Sequence, residues 1–291
     1  MKRLIVLLTS LALAATACGE RRVGSLGPGP DETPVASESP RSPEPTPSQE
    51  PAGETMRFQV WFAYGEGLFV VRRTVEATPR IGTAALEALL AGPTREERAA
   101  GVSSAVPEGT ELRSLTIEDG VATVDLSAAF EAPGGAGEET MRLGQLVFTL
   151  TQFPTVDGVA LEIEGRPVES FGGHGIALDP PMERRDYADL LPQILVEEPA
   201  IGDRVTSPVT IAGTADVFEA TVSIGILDAN GNEIVRTFTT ATCGTGCRGD
   251  YQERVEFSVP RTQPGTIVVY ESSAEDGSPL HVVEIPVTLV A

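Results

Sequence analysis

The chain has 291 residues, room for two domains of ordinary size. Its 42 acidic side chains against 21 basic ones give a net charge of −21, which argues against nucleic acid, polyanionic wall polymers and anionic lipid as binding surfaces. Lys2 is the only lysine, so beyond position 2 there is neither a Schiff-base amine nor a phosphate-loop lysine, while 41% hydrophobic residues suffice for folded cores.

Lys2 and Arg3 precede an apolar run from Leu4 to Ala14, and Ala15-Thr16-Ala17 then sets small residues before Cys18. A run of this length reaches about half of the ~30 Å hydrocarbon core, so it reads as a signal sequence rather than a membrane span. The pattern resembles a bacterial lipoprotein signal over residues 1–17, which implies cleavage before Cys18 and lipid on its thiol. Leucine is commoner where Ala15 stands, and an ordinary secretory signal cut elsewhere is the alternative. Residues 19–54 hold 8 Pro, 5 Gly and 5 Ser and almost no large apolar residue. Residues 18–54 are therefore expected to form an extended, disordered tether, too poor in apolar surface to offset the entropy of ordering.

From residue 55 the pattern changes. Phe58, Val60 and Phe62 alternate ahead of Gly65-Glu66-Gly67, and Leu68–Val71 follows, which predicts a β-hairpin. Helical spacing of Ile81, Ala84, Ala85, Ala88 and Leu89 predicts a helix stopped at Gly92-Pro93. Thr94 with Glu97 three residues on predicts a capping box opening a short second helix. Leu112–Ile117 and Val121–Leu126 flank Asp119-Gly120, a hairpin signal. A glycine-rich loop leads to a helix through Met141, Leu143, Leu146, Val147 and Leu150, and Val159–Ile163 predicts the last strand. Residues 55–180 thus read as an α+β domain of order β-β-α-β-β-α-β, built on hairpins rather than strict βαβ units.

Ala88-Leu-Leu-Ala-Gly-Pro-Thr94, Asp119-Gly-Val-Ala-Thr-Val-Asp-Leu-Ser127, Leu150-Thr-Gln-Phe-Pro154 and Phe171-Gly-Gly173 resemble a GerMN domain, the sporulation and germination module. The resemblance implies an interaction or scaffold role in an envelope lipoprotein, akin to the α+β modules that build ring-like assemblies. It supplies no catalytic residues. An acidic or polar residue is expected where this chain has His174, so no family role passes to that histidine.

Residues 181–194 are expected to form an interdomain linker with a short helix near Arg184–Leu191. Period-two alternation then recurs in Val209/Ile211, Val222/Ile224/Ile226, Val255/Phe257/Val259, Ile267/Val269 and Val283–Leu289. With Glu233–Phe238 and a strand near Leu195–Glu197, about seven strands are expected over 195–291, an all-β immunoglobulin-like sandwich. Pro199-Ala-Ile-Gly202, Gly213-Thr-Ala215, Tyr270-Glu-Ser-Ser-Ala274 and Asp276-Gly-Ser-Pro-Leu-His281 look like the Gmad2 immunoglobulin-like domain that accompanies GerMN. Cys243 and Cys247 read as a structural disulfide in an extracytoplasmic chain, a redox or zinc site being the alternative.

No catalytic constellation, metal site or cofactor is expected. Asp228, Asn230 and Asn232 mimic the opening of a calcium loop, but Glu233 and Thr239 stand where glycine and a bidentate glutamate are needed, so a hairpin turn is preferred. His281 lies near Ser278 and Asp276 on one turn, which builds no triad, and His174 reads as a loop residue. The consecutive pairs Glu96/Glu97 and Glu138/Glu139 read as solvated helix faces. Trp61, Phe62, Tyr64 and Phe69 form the densest aromatic cluster, read first as core and second as a partner-binding strip. The expectation is a non-enzymatic, lipid-anchored extracytoplasmic protein. It would contact an envelope protein or the cell wall, with no nucleic-acid partner, and reach the membrane through Cys18. An accessory factor or enzyme acting on peptidoglycan is the alternative.

Overall fold

The computed structural model describes residues 54–291. The signal sequence, Cys18 and all but the last residue of the tether lie outside the described residues. Strands β1 (Thr55–Tyr64) and β2 (Gly67–Glu76) pair antiparallel from Thr55↔Glu76 to Tyr64↔Gly67. Helix α1 (Ile81–Ala91) ends at Gly92, whose φ of 76° is open to glycine at little cost. Helix α2 (Arg95–Ala99) opens on the Thr94/Glu97 capping box, and β3 (Val102–Ser103) extends the first sheet to the order β2-β1-β3.

Strands β4 (Leu112–Glu118) and β5 (Val121–Leu126) meet at Asp119 and Gly120, both at positive φ, as a tight hairpin turn requires. Helix α3 (Ala136–Leu150) leads to β6 (Gly158–Ile163), which pairs parallel to β5 from Val121↔Gly158 to Leu126↔Ile163. This corrects the expectation of hairpins alone, because β5-α3-β6 is a βαβ crossover. β7 (Arg166–Pro167) completes the order β4-β5-β6-β7, and β8 (Ser170–Phe171) with β9 (Ile176–Ala177) forms a small hairpin. A 3₁₀ stretch, Arg184–Leu190, follows, with Tyr187 buried.

Eight strands follow: β10 (Ile194–Glu198), β11 (Arg204–Val205), β12 (Val209–Ala215), β13 (Thr221–Leu227), β14 (Glu233–Thr240), β15 (Gly249–Val255), β16 (Gln263–Ser272) and β17 (Pro279–Leu289). They form two sheets, β10-β12-β15 and β11-β17-β16-β13-β14, an immunoglobulin-like sandwich. Val222, Ile224, Ile226, Ile267, Val269 and Ile285 are fully enclosed between them. The strand expected over Val255–Val259 lies instead at Gly249–Val255. Phe257 and Val259 are buried without joining a ladder, so their alternation reports burial and not pairing. The chain is therefore an α+β region followed by an all-β sandwich.

Candidate functional site

The first region is organised by one polar ridge. Arg142, Gln145 and Thr149 on α3, with Gln152 just beyond it, recur at helical spacing and share a face. That ridge runs along the edge of β1 that β3 leaves open. Gln59 N–H donates to Gln152 Oε1 and Gln152 Nε2 returns a bond to Gln59 O, both at 2.6 Å. Trp61 N–H donates to Thr149 Oγ1 at 3.1 Å, and Gln145 Nε2 donates to Trp61 O at 3.1 Å. Gln145 Oε1 accepts from Ala105 N–H at 2.7 Å, and Arg142 Nε donates to Ala105 O at 2.9 Å. At Gln59 and Trp61, side chains of a helix thus do what a neighbouring strand would do.

This arrangement disposes of the aromatic strip. Trp61, Phe62 and Phe69 are 2%, 0% and 4% exposed, so three of the four aromatics belong to the core. Trp61 lies 4.9 Å from Phe148, and the Arg184 guanidinium sits over both rings at 5.5 and 4.7 Å. Tyr64 alone is half-buried, packed against Phe69 at 5.4 Å. A partner-binding surface made of these four residues is not available.

The junction between the two regions is polar. Arg72 pairs with Glu198 at 2.9 Å, and Gln59 Nε2 donates to Glu197 Oε2 at 3.3 Å. Arg248 reaches back from the sandwich to the carbonyl of Pro192. A cavity of about 530 Å³ at the junction is lined by Arg57, Arg72, Arg73, Glu96, Glu97 and Asp203. A second, of about 410 Å³, is bordered by Tyr64, Phe69, Asp189, Ile194, His281 and Val282.

The carboxylate pairs expected to be solvated are each split. Glu96 is exposed, but Glu97 is 5% exposed and receives Arg73 in a two-pronged pair at 2.6 and 2.7 Å while accepting Thr94 N–H at 2.7 Å. Removing one partner of an enclosed pair leaves the other charge uncompensated, and here the helix cap is lost as well. Glu97→Ala should therefore destabilise the first region by about 2–3 kcal/mol in urea unfolding, and Glu96→Ala by less than about 0.5 kcal/mol.

Glu138 is exposed, whereas Glu139 is fully buried under the loop after β8. Its carboxylate accepts from Gly173 N–H at 2.9 Å and lies 3.1 Å from His174 Nδ1, so His174 closes a loop onto α3 rather than standing free. Burial pushes the Glu139 carboxyl up, and the bonds from Gly173 and His174 together with the imidazolium charge outweigh it, leaving the group below its ordinary value of 4.5. A folded-state value below the unfolded one stabilises the fold above pH 4.5 and is lost as pH falls through the depressed value. Thermal unfolding of Glu139→Gln should consequently show a shallower loss of Tm below that pH than the unaltered chain.

The remaining candidates are structural. Asp228 holds its own turn, accepting Asn230 N–H and Asn232 N–H at 2.8 and 2.9 Å, and these bonds hold its carboxyl below the usual range. His281 faces Glu271 at 3.6 Å, while Ser278 Oγ donates to Asp276 at 2.7 Å, so the three residues near 280 form no relay. Cys243 and Cys247 are joined as a disulfide with Cα atoms 5.7 Å apart. Among the described residues no group of three or more His, Cys, Asp or Glu is placed to hold a metal ion. The capping role of Glu97 is legible in the sequence, but its enclosure by Arg73, like the burial of Glu139, had no local signal.

Residues 60–169 match the family described as Germane, sporulation and spore germination, and residues 193–278 match Gmad2, the immunoglobulin-like domain of bacterial spore germination. Neither is an enzyme family. Among solved structures, the first GerMN domain of the sporulation protein GerM from Bacillus subtilis is 26% identical, with a TM-score of 0.39, covering 45% of this chain and 99% of that one. The tandem GerMN domains of the same protein are 16% identical at a TM-score of 0.42, with 81% of this chain and 61% of that chain covered. No curated protein matches.

Proposed function

We propose that this chain, a Germane domain joined to a Gmad2 domain, is a lipid-anchored scaffold of a bacterial envelope that holds protein or wall partners outside the membrane. The observation that carries the reading is the match of both folded regions, in order, to domains of sporulation and germination proteins. The lipobox-like Ala15-Thr16-Ala17-Cys18 supports the anchor, and the proline-rich residues 19–54 support a tether of roughly 35 to 110 Å. The ties between Arg72 and Glu198 and between Gln59 and Glu197 suit a two-domain body that presents its surfaces together.

Two measurements test this. Mass spectrometry of the mature N-terminus should find acylated Cys18, and an unmodified terminus at any other residue sinks the anchor. Affinity capture of the full chain from membranes should enrich the same envelope component in replicates and not with an unrelated lipoprotein. Its repeated absence sinks the scaffold.

A further inference from the structure

Residues 191–193 join the 3₁₀ stretch to β10, and both regions grip this short linker. On the side of the first region, a Cβ at Gly67 would stand 3.2 Å from the Leu190 carbonyl oxygen and 3.4 Å from the Pro192 ring. On the side of the sandwich, Arg248 donates to the Pro192 carbonyl and, at 3.1 Å, to Thr214 Oγ1. Asp216 N–H donates to Gln193 O at 2.8 Å.

Both holding residues belong to one network around the disulfide loop. Arg248 follows Cys247 directly, and Asp216 Oδ1 accepts Gly246 N–H at 2.7 Å and Cys247 N–H at 3.2 Å. Thr245 N–H donates to Val217 O at 3.0 Å, and Thr245 Oγ1 accepts Glu219 N–H at 3.1 Å. The cross-link itself lies outside the ladders, since β14 ends at Thr240 and β15 begins at Gly249. A loop this short removes less entropy from the unfolded chain than a long one, so stabilising the sandwich is a small part of what it does. Its larger effect is positional: it fixes the backbone from which Arg248 reaches the linker. Cys247 is exposed and Cys243 half-buried, so a thiol reaches the bond without unfolding the sandwich.

We propose that the Cys243–Cys247 disulfide is a redox-sensitive fastener of the joint between the two regions. Closed, it keeps Arg248 and Asp216 on the linker; opened by a dithiol, it lets the regions pivot while each stays folded. The thiolate of the dithiol attacks the exposed Cys247 sulfur, a mixed disulfide forms, and Cys243 leaves as a thiolate. The second thiol then displaces Cys247, so the cystine gains two electrons and two protons and the dithiol becomes a disulfide. At the far end of β10 the bonds from Gln59 to Glu197 and from Arg72 to Glu198 remain, and β10 still lies against β2. The regions therefore pivot about that end rather than part. The device stands whether or not Cys18 carries lipid.

Hydrogen exchange of the detergent-solubilised full chain, before and after dithiothreitol, tests this. Under native conditions dithiothreitol should open Cys243 and Cys247 to iodoacetamide while Trp61 fluorescence and exchange in the sandwich strands keep their folded values. Amides of residues 187–193 and of the turn at 65–67 should then exchange at least about tenfold faster. Cys243→Ser combined with Cys247→Ser should match the reduced chain. Arg248→Gln keeps the disulfide but falls short of Pro192, so it should speed the same amides, and dithiothreitol should then add little to them. Acceleration confined to residues 242–249 overturns the inference, because the cross-link would then order only its own loop. A bond that opens only when the sandwich unfolds overturns it too, as does an undiminished response to dithiothreitol in Arg248→Gln.

Discussion

Arg142→Ala is expected to destabilise the first region by about 4 kcal/mol. Arg142 is 1% exposed, and its guanidinium donates to three carbonyls, those of Ala105, Phe130 and Ala132. It also lies 5.8 Å from the ring centroids of both Phe130 and Phe171. Two effects oppose each other. Burial of a cation is costly, and it pulls the guanidinium below its ordinary pKa, so removal of the charge alone brings some relief. Truncation, however, strips loop carbonyls of their donors at about 1–3 kcal/mol each and leaves a void between two aromatic rings. The second effect wins because the carbonyls belong to non-strand segments with no other backbone partner. Arg142→Met, which fills the space without donating, should fall between, at about 2–3 kcal/mol. Trp61 is the only tryptophan and sits in this same core, so its fluorescence in urea reads the first region selectively. A loss below about 1 kcal/mol for Arg142→Ala would mean that water replaces the guanidinium at those carbonyls.

Where the forces are local, the chain could be read directly. Gly92-Pro93 stops α1 because a positive φ is required there, Thr94 and Glu97 close a capping box, and Asp119-Gly120 adopts the positive φ values of a tight turn. The parallel pairing of β5 with β6 was not visible, since it depends on where α3 packs and not on any residue within either strand. The same limit explains the aromatic hairpin. Consecutive Trp61 and Phe62 point to opposite faces of β1, and both are buried, Trp61 against Phe148 of α3 and beneath Arg184. Two adjacent carboxylates likewise look equally solvated in a sequence. A loop more than thirty residues away buries Glu139 while Glu138 stays in water, and only Gly172-Gly173, close against that carboxylate, hints at it. The strand β15 begins before the expected Val255–Val259 run, with Asp250, Gln252 and Arg254 on its solvated face and Tyr251 and Val255 on its buried one.

Gly213→Ala should destabilise the sandwich by about 3–4 kcal/mol and leave the first region unaltered. Gly213 sits in β12 between β10 and β15, paired with Val196 on one side and Tyr251 on the other. Its φ is not the reason for glycine, because it lies outside the positive range. The reason is space. A Cβ there would collide with the carbonyl oxygen of Leu195 and come within 3.0 Å of Tyr251 Oη. Those two groups are hydrogen-bonded at 3.1 Å, with Tyr251 3% exposed. A methyl group must therefore either part β10 from β12 or break a buried hydroxyl–carbonyl bond, and a rigid backbone oxygen cannot give way as a flexible side chain does. Gly225→Ala supplies the contrast, since its nearest neighbour lies 3.8 Å away on the outer face of β13, and it should cost less than about 1 kcal/mol. Hydrogen exchange separates the outcomes. Gly213→Ala should speed exchange across Ile194–Glu198 and Val209–Ala215 while the Trp61 transition in urea stays where it was. If both transitions moved together, the two regions would unfold as one cooperative unit, and the polar ties of Arg72 to Glu198 and Gln59 to Glu197 would be stronger than exposed pairs ordinarily are.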